Sequence, residues 1–96
     1  MKILAIEKEV KGIDPTRLTP FLKDEALKVW DNYHTGIIRE MFFRKDRNEA
    51  LLILECKDEN EAKKNINSLP LVKNQLIDFE IIPLKPYPGF ERLFVE

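Results

Sequence analysis

Two stretches of this chain, Ile3-Leu4-Ala5-Ile6 and Ala50-Leu51-Leu52-Ile53-Leu54, are apolar at every position. Each has strand length, and no helix-capping residue stands ahead of the first. Successive strand residues point to opposite faces, so Leu4 and Ile6 oppose Ile3 and Ala5, while Leu51 and Ile53 oppose Ala50, Leu52 and Leu54. A sheet with such strands at its centre has to be covered on both faces.

The rest of the chain supplies the other elements. The first strand, Lys2 to Lys8, ends in a loop around Gly12. Asp14-Pro15 and Thr19-Pro20 are helix-start signals, each pairing a capping side chain with a proline at the first helical position. They predict a helix from about Arg17 or Pro20 to His34. Leu18, Leu22, Ala26, Val29, Trp30 and Tyr33 would form its apolar stripe, with Lys23, Asp24, Lys28 and Asp31 opposite. Gly36 suits the left-handed position beyond a helix end.

A hairpin is then expected, with Ile37 to Arg44 and Glu49 to Cys56 joined by Lys45-Asp46-Arg47-Asn48. Asp58 or Asn60 can cap a second helix with the stripe Ala62, Ile66 and Leu69, ended by Pro70. A last strand, Gln75 to Pro83, completes the order β-α-β-β-α-β of a ferredoxin-like α+β domain. At 96 residues the chain holds one core, and hence one domain.

In this strand order the first and third strands are central, and two helices cover only one face of them. A second copy of the chain is the simplest cover for the other, giving a homodimer or higher oligomer. The tail from Leu84 to Glu96 points the same way. Pro83, Pro86 and Pro88 keep it out of its own sheet, yet Tyr87, Phe90, Leu93, Phe94 and Val95 are too apolar for a free end. The tail is expected to pack on the partner subunit, the alternative being that it folds over its own helices.

Charge and composition narrow the function. Sixteen Lys plus Arg balance seventeen Asp plus Glu, with no dense basic cluster for a phosphate backbone, so nucleic acid is not an expected partner. The apolar runs are far shorter than the roughly 20 residues needed to cross a bilayer, and no signal-peptide profile is read, so neither a membrane nor secretion is expected and a cytoplasmic setting is. The single cysteine, Cys56, lies in an apolar stretch and reads as a buried thiol rather than a nucleophile. There is no glycine-rich phosphate loop, no metal-spaced cluster and no Ser or Cys triad, so neither cofactor nor metal is expected.

Candidate site residues remain. Strict alternation along the second strand sets Arg39 beside Ile37, Met41 and Phe43, with Glu40 on the other face with Ile38, Phe42 and Arg44. A guanidinium among apolar neighbours can fix the carboxylate of a small acid, or it can pair internally with Glu25, Glu55 or Glu80. Glu25, at the edge of the helix stripe, is a candidate general base or a boundary glutamate in solvent. His34 is a candidate proton carrier or a cation at a helix end. Trp30 and Tyr33, one turn apart, either wall a pocket together with Met41 and Phe43 or belong to the core.

From Glu25 to Gly89 the chain resembles the muconolactone isomerase family of the dimeric α+β barrel superfamily. The resemblance is carried by Glu25, by Gly36 followed by Arg39, by Ser68-Leu69-Pro70-Leu71, and by Pro83-Leu84 with Pro86 and Pro88. It implies a small oligomer with a pocket between sheet and helices or at the subunit interface. It also implies a reaction that moves a proton next to the carbonyl of a small lactone. The family's second strand is aromatic and includes a histidine; the aligned residue here is Glu40. The sequence therefore supports two expectations. One is a cofactor-free isomerase, or a monooxygenase-like enzyme, acting on a small lactone or organic acid. The other is a non-catalytic small-molecule binding or stress-related dimeric module.

Overall fold

The computed structural model describes residues 1–95. Four strands, β1 (Lys2–Glu9), β2 (Ile38–Phe43), β3 (Ala50–Glu55) and β4 (Ile77–Pro83), form one antiparallel sheet in the order β2-β3-β1-β4. The helices are α1 (Leu22–His34), α2 (Glu59–Asn67) and the short α3 (Pro70–Lys73). This is the ferredoxin-like α+β arrangement, with the two apolar strands β1 and β3 at its centre as their composition requires.

One face of the sheet carries the core. Ile3 and Ala5 of β1, Leu52 and Leu54 of β3, and Ile77 and Phe79 of β4 are buried with Ala62 and Ile66 of α2 and with Leu69 and Leu71. Ile3, Ile38, Leu54 and Leu69 are the largest fully buried side chains, each worth about 1.5–3 kcal/mol relative to exposure. Cys56 is buried in this cluster, and burial raises its thiol pKa, so it is a packing residue.

The opposite face is left open. Register places Leu4, Ile6, Leu51, Ile53, Phe42 and Ile82 on it, with Lys8, Asp78, Glu80 and Glu40 around them. Phe42 is exposed, and so are Tyr87, Phe90, Leu93, Phe94 and Val95 of the tail. The Cα radius of gyration is 15.8 Å and the long axis spans 60 Å against 28 and 21 Å across. A compact chain of this length would have a radius near ~13 Å. The tail's apolar side chains are thus not folded into its own core. Glu96, the last residue of the expected tail, lies outside the described residues.

Several local expectations are corrected. Asp14 does cap a helical start, accepting the Thr16 N–H at 3.0 Å, but the element is a 3-10 turn, Pro15–Arg17. Thr19 makes no cap and opens a second 3-10 turn, Thr19–Phe21, before α1 begins. Asp58 caps α2 through the Glu61 N–H at 2.8 Å. Pro70 begins α3 rather than only ending α2, because the extended Leu69 leaves proline at the first helical position. Gln75 then takes a positive φ of 60°, so β4 starts at Ile77 rather than at Gln75.

Arg39 carries the largest correction. β2 is irregular between Ile38 and Glu40, so the register jumps from Ile38↔Leu54 to Glu40↔Ile53 across a bulge. The inserted residue breaks the two-residue period and puts Ile38 on the same face as Met41 and Phe43. Arg39 is exposed and bent back, donating its Nε–H to the Gly36 carbonyl at 2.7 Å. Among the ion pairs of the described residues none involves Arg39, so the expected pairings with Glu25, Glu55 or Glu80 are not formed.

Candidate functional site

Helix α1 packs against β2 and α3, while α2 packs against β4 and α3. The two helices therefore splay over the sheet and leave a gap above the ends of the central strands. This gap is a cleft of about 1080 Å³, just above the roughly 300–1,000 Å³ usual for small-molecule sites.

The α1 stripe, with Leu18 from the turn ahead of it, forms one wall. Leu18, Leu22, Ala26, Val29 and Trp30 all border the cleft, and Leu22 and Trp30 are half-exposed there instead of plugging the core. The α1 residue buried deepest is Asn32, at 7% exposure. The floor consists of Met41 and Phe43 from β2, Ala50 and Leu52 from β3, and Ile77 and Phe79 from β4. Leu71 of α3 closes one end.

Two of the carboxyl groups lining this apolar space are partly buried and held by backbone N–H groups. Glu25 comes from the inward edge of α1, and its Oε1 accepts the Leu71 N–H at 2.9 Å. Burial raises its pKa above the ordinary glutamate value, against the lowering effect of that hydrogen bond. Glu7 stands on β1 and accepts the Ala50 N–H at 3.0 Å. Its pKa is raised as well, chiefly by burial and further by the negative charges of Glu49 and Glu25, with the Ala50 bond opposing.

At the mouth, Arg47 and Glu49 border the cleft and pair with each other at 2.6 Å. Among the described residues no three His, Cys, Asp or Glu side chains are grouped so as to hold a metal ion. The arrangement supplies two partly desolvated carboxyl groups, one hydrogen bond each to backbone, in a mainly apolar cleft. That is the equipment for taking a proton from carbon or giving one to oxygen.

Of the residues singled out from sequence, Glu25, Trp30, Met41 and Phe43 line the cleft. Tyr33, His34 and Arg39 are not among its lining residues. His34 ends α1 with its ring 5.3 Å from that of Trp30, and the exposed Tyr33 ring lies 6.2 Å from Trp30. Glu7 was missed. Its signal is the period of two, since Ile3, Ala5 and Glu7 share a strand face and a carboxylate continues an otherwise apolar row.

No family model matches the chain, and no curated protein sequence matches it. Its fold does have solved counterparts. Muconolactone isomerase superposes with a TM-score of 0.75 at 18% identity, covering 93% of each chain. The 5-chloro-2-hydroxyhydroquinone dehydrochlorinase of Burkholderia phenoliruptrix, solved in complex with 2,5-dihydroxybenzoquinone, gives 0.65 at 17% identity, covering 93% of this chain and 98% of its own. At these identities the likeness is one of fold, a muconolactone isomerase-like α+β fold. Among the described residues no helix is long and apolar enough to cross a membrane.

Proposed function

We propose that this chain is a cytoplasmic, cofactor-free enzyme that shifts a proton next to the carbonyl of a small ring compound of the lactone or hydroxyquinone type. The observation that carries the reading is the pair Glu7 and Glu25, one from the strand side and one from the α1 side of one apolar cleft, each anchored by a single backbone N–H. The named chemistry of the two structural counterparts, an isomerase of a lactone and a dehydrochlorinase of a chlorinated hydroxyhydroquinone solved with a dihydroxybenzoquinone bound, is compatible with it.

Glu25 acts as the base. Its carboxylate takes a proton from the saturated carbon beside the carbonyl of the lactone, or of the keto tautomer of the hydroxyquinone, the C–H electrons move into the ring as an enolate, and the same carboxylic acid returns the proton to a carbon further along. No net proton, electron or atom is gained, so neither cofactor nor oxidant is called for. Burial places Glu25 closer to neutrality than a solvated glutamate, which suits a base that must also release its proton. Glu7, its carboxyl likewise raised by burial and by the charges of Glu49 and Glu25, donates a hydrogen bond to the enolate oxygen in its protonated form. Trp30, Met41 and Phe43 supply apolar surface for the ring.

The working unit in this proposal is a homodimer, in which a second copy covers the open sheet face and receives the tail. The test is deuterium exchange into a panel of small lactones and hydroxyquinones, followed by NMR. Wild type should exchange the proton beside the carbonyl, and Glu25→Gln, which keeps an acceptor for the Leu71 N–H, should lose roughly 10²–10⁴-fold. Undiminished exchange by the folded Gln variant, or none by wild type on any ring, would point instead to a binding module.

A further inference from the structure

The charged side chains bordering the cleft are Glu7 and Glu9 from β1, Glu25 from α1, and Arg47 and Glu49 from the β2–β3 connection. β4 and α3 face it with apolar side chains such as Ile77, Phe79 and Leu71. Among the described residues the one cation bordering the cleft, Arg47, holds Glu49 at 2.6 Å, and Arg44 approaches the same carboxylate at 3.9 Å. Arg39, a guanidinium able to receive a carboxylate, is turned to the Gly36 carbonyl instead.

From this charge pattern we infer that the cleft selects uncharged ring compounds and turns away their carboxylate counterparts, with Glu7 and Glu25 setting the barrier. The inference rests on reading the cleft as the site of a small ring substrate. A carboxylate seated between these walls would lose its hydration, meet no free cation and stand beside at least one like charge in a poorly solvated space. Rejection by unpaired charge is an efficient source of selectivity. The anion can enter only if a proton comes with it. Because burial holds both glutamates above their ordinary pKa, that uptake becomes easier as pH falls and harder as it rises.

Trp30 is the sole tryptophan and lies on the cleft wall, so its fluorescence reports occupancy without turnover. Phthalide, a neutral lactone, and phthalide bearing a ring carboxylate would be titrated separately near neutral and at mildly alkaline pH. Phthalide should bind equally at both, whereas the carboxylate should bind at least about tenfold more weakly at the higher pH. The gap should close in the double variant Glu7→Gln with Glu25→Gln, which retains acceptors for the Ala50 and Leu71 N–H groups. Equal binding of the two probes to wild type, or a gap that persists in the double variant, overturns the selection alone. Binding of neither probe overturns the cleft as a ring site, and the selection with it.

Discussion

Glu25 Oε1 takes the Leu71 N–H at 2.9 Å, and this bond ties α1 to the first turn of α3. Its removal leaves a partly buried donor without a partner, so Glu25→Ala should lower stability by about 1–3 kcal/mol, whereas Glu25→Gln should not. Urea denaturation of the two variants measures this directly, and equal losses would mean that the bond contributes nothing. The same carboxyl group, with Glu7, also makes stability depend on pH. Both have pKa values raised in the folded chain above the ordinary 4.5, so the folded state binds more protons than the unfolded one just above that pH. Their contribution is complete below 4.5 and is lost as pH rises through the folded values. Glu7→Gln should flatten that decline in thermal melts taken across the acid range. An unchanged slope would show that burial of Glu7 carries no penalty.

At the scale of elements, α1 behaves differently from α2 although both are amphipathic. Ala62 and Ile66 of α2, with Leu69 just beyond it, are buried to 3% exposure or less, as their spacing implies. The α1 stripe has the same spacing, but Trp30 remains 57% exposed, because this helix rests on β2 and α3 and stands clear of the central strands. Ile66→Ala should therefore cost about 2–5 kcal/mol, while Trp30→Ala should cost less than about 1 kcal/mol and impair ring binding instead. Comparable stability losses from both would mean that Trp30 is a core residue after all. The contrast also explains what was legible. Periodicity reports that a face is apolar, and it located all four strands and both amphipathic helices. It does not report whether that face meets a sheet or a cavity, which depends on where the neighbouring helix lands. Arg39 was misplaced for a related reason. A bulge leaves no mark in the pattern of β2, yet it shifts every residue before it by one position and removed the guanidinium from the cleft. Glu7 was readable from its place in the row Ile3, Ala5, Glu7, but a carboxylate at a strand end is ordinarily a solvated one.

For the whole molecule, the open sheet face and the tail pose one problem. Leu4, Ile6, Leu51, Ile53 and Ile82 form an apolar centre with Lys8, Asp78, Glu80 and Glu40 at its margin. An apolar core with a polar rim carrying both signs of charge is how self-complementary interfaces are built. The tail adds to it. Tyr87 and Phe90 meet edge to face at 5.2 Å, and a Cβ at Gly89 would overlap the Tyr87 ring, so the segment is shaped before it meets anything. A pre-shaped apolar arm loses less entropy on docking than a floppy one. Sedimentation of the full chain at micromolar concentration should show a dimer or a larger closed assembly. Ile53→Glu, which puts a charge in the middle of the open face, should return it to monomers that still bind ligand at the cleft on the other side of the sheet. Removing residues 84–96 should weaken association without abolishing it, since the sheet face remains. A wild-type monomer at these concentrations would sink the pairing and leave the exposed face for a different partner. A variant that dissociates and also loses the cleft would show instead that the second copy holds α1 at its distance from the sheet.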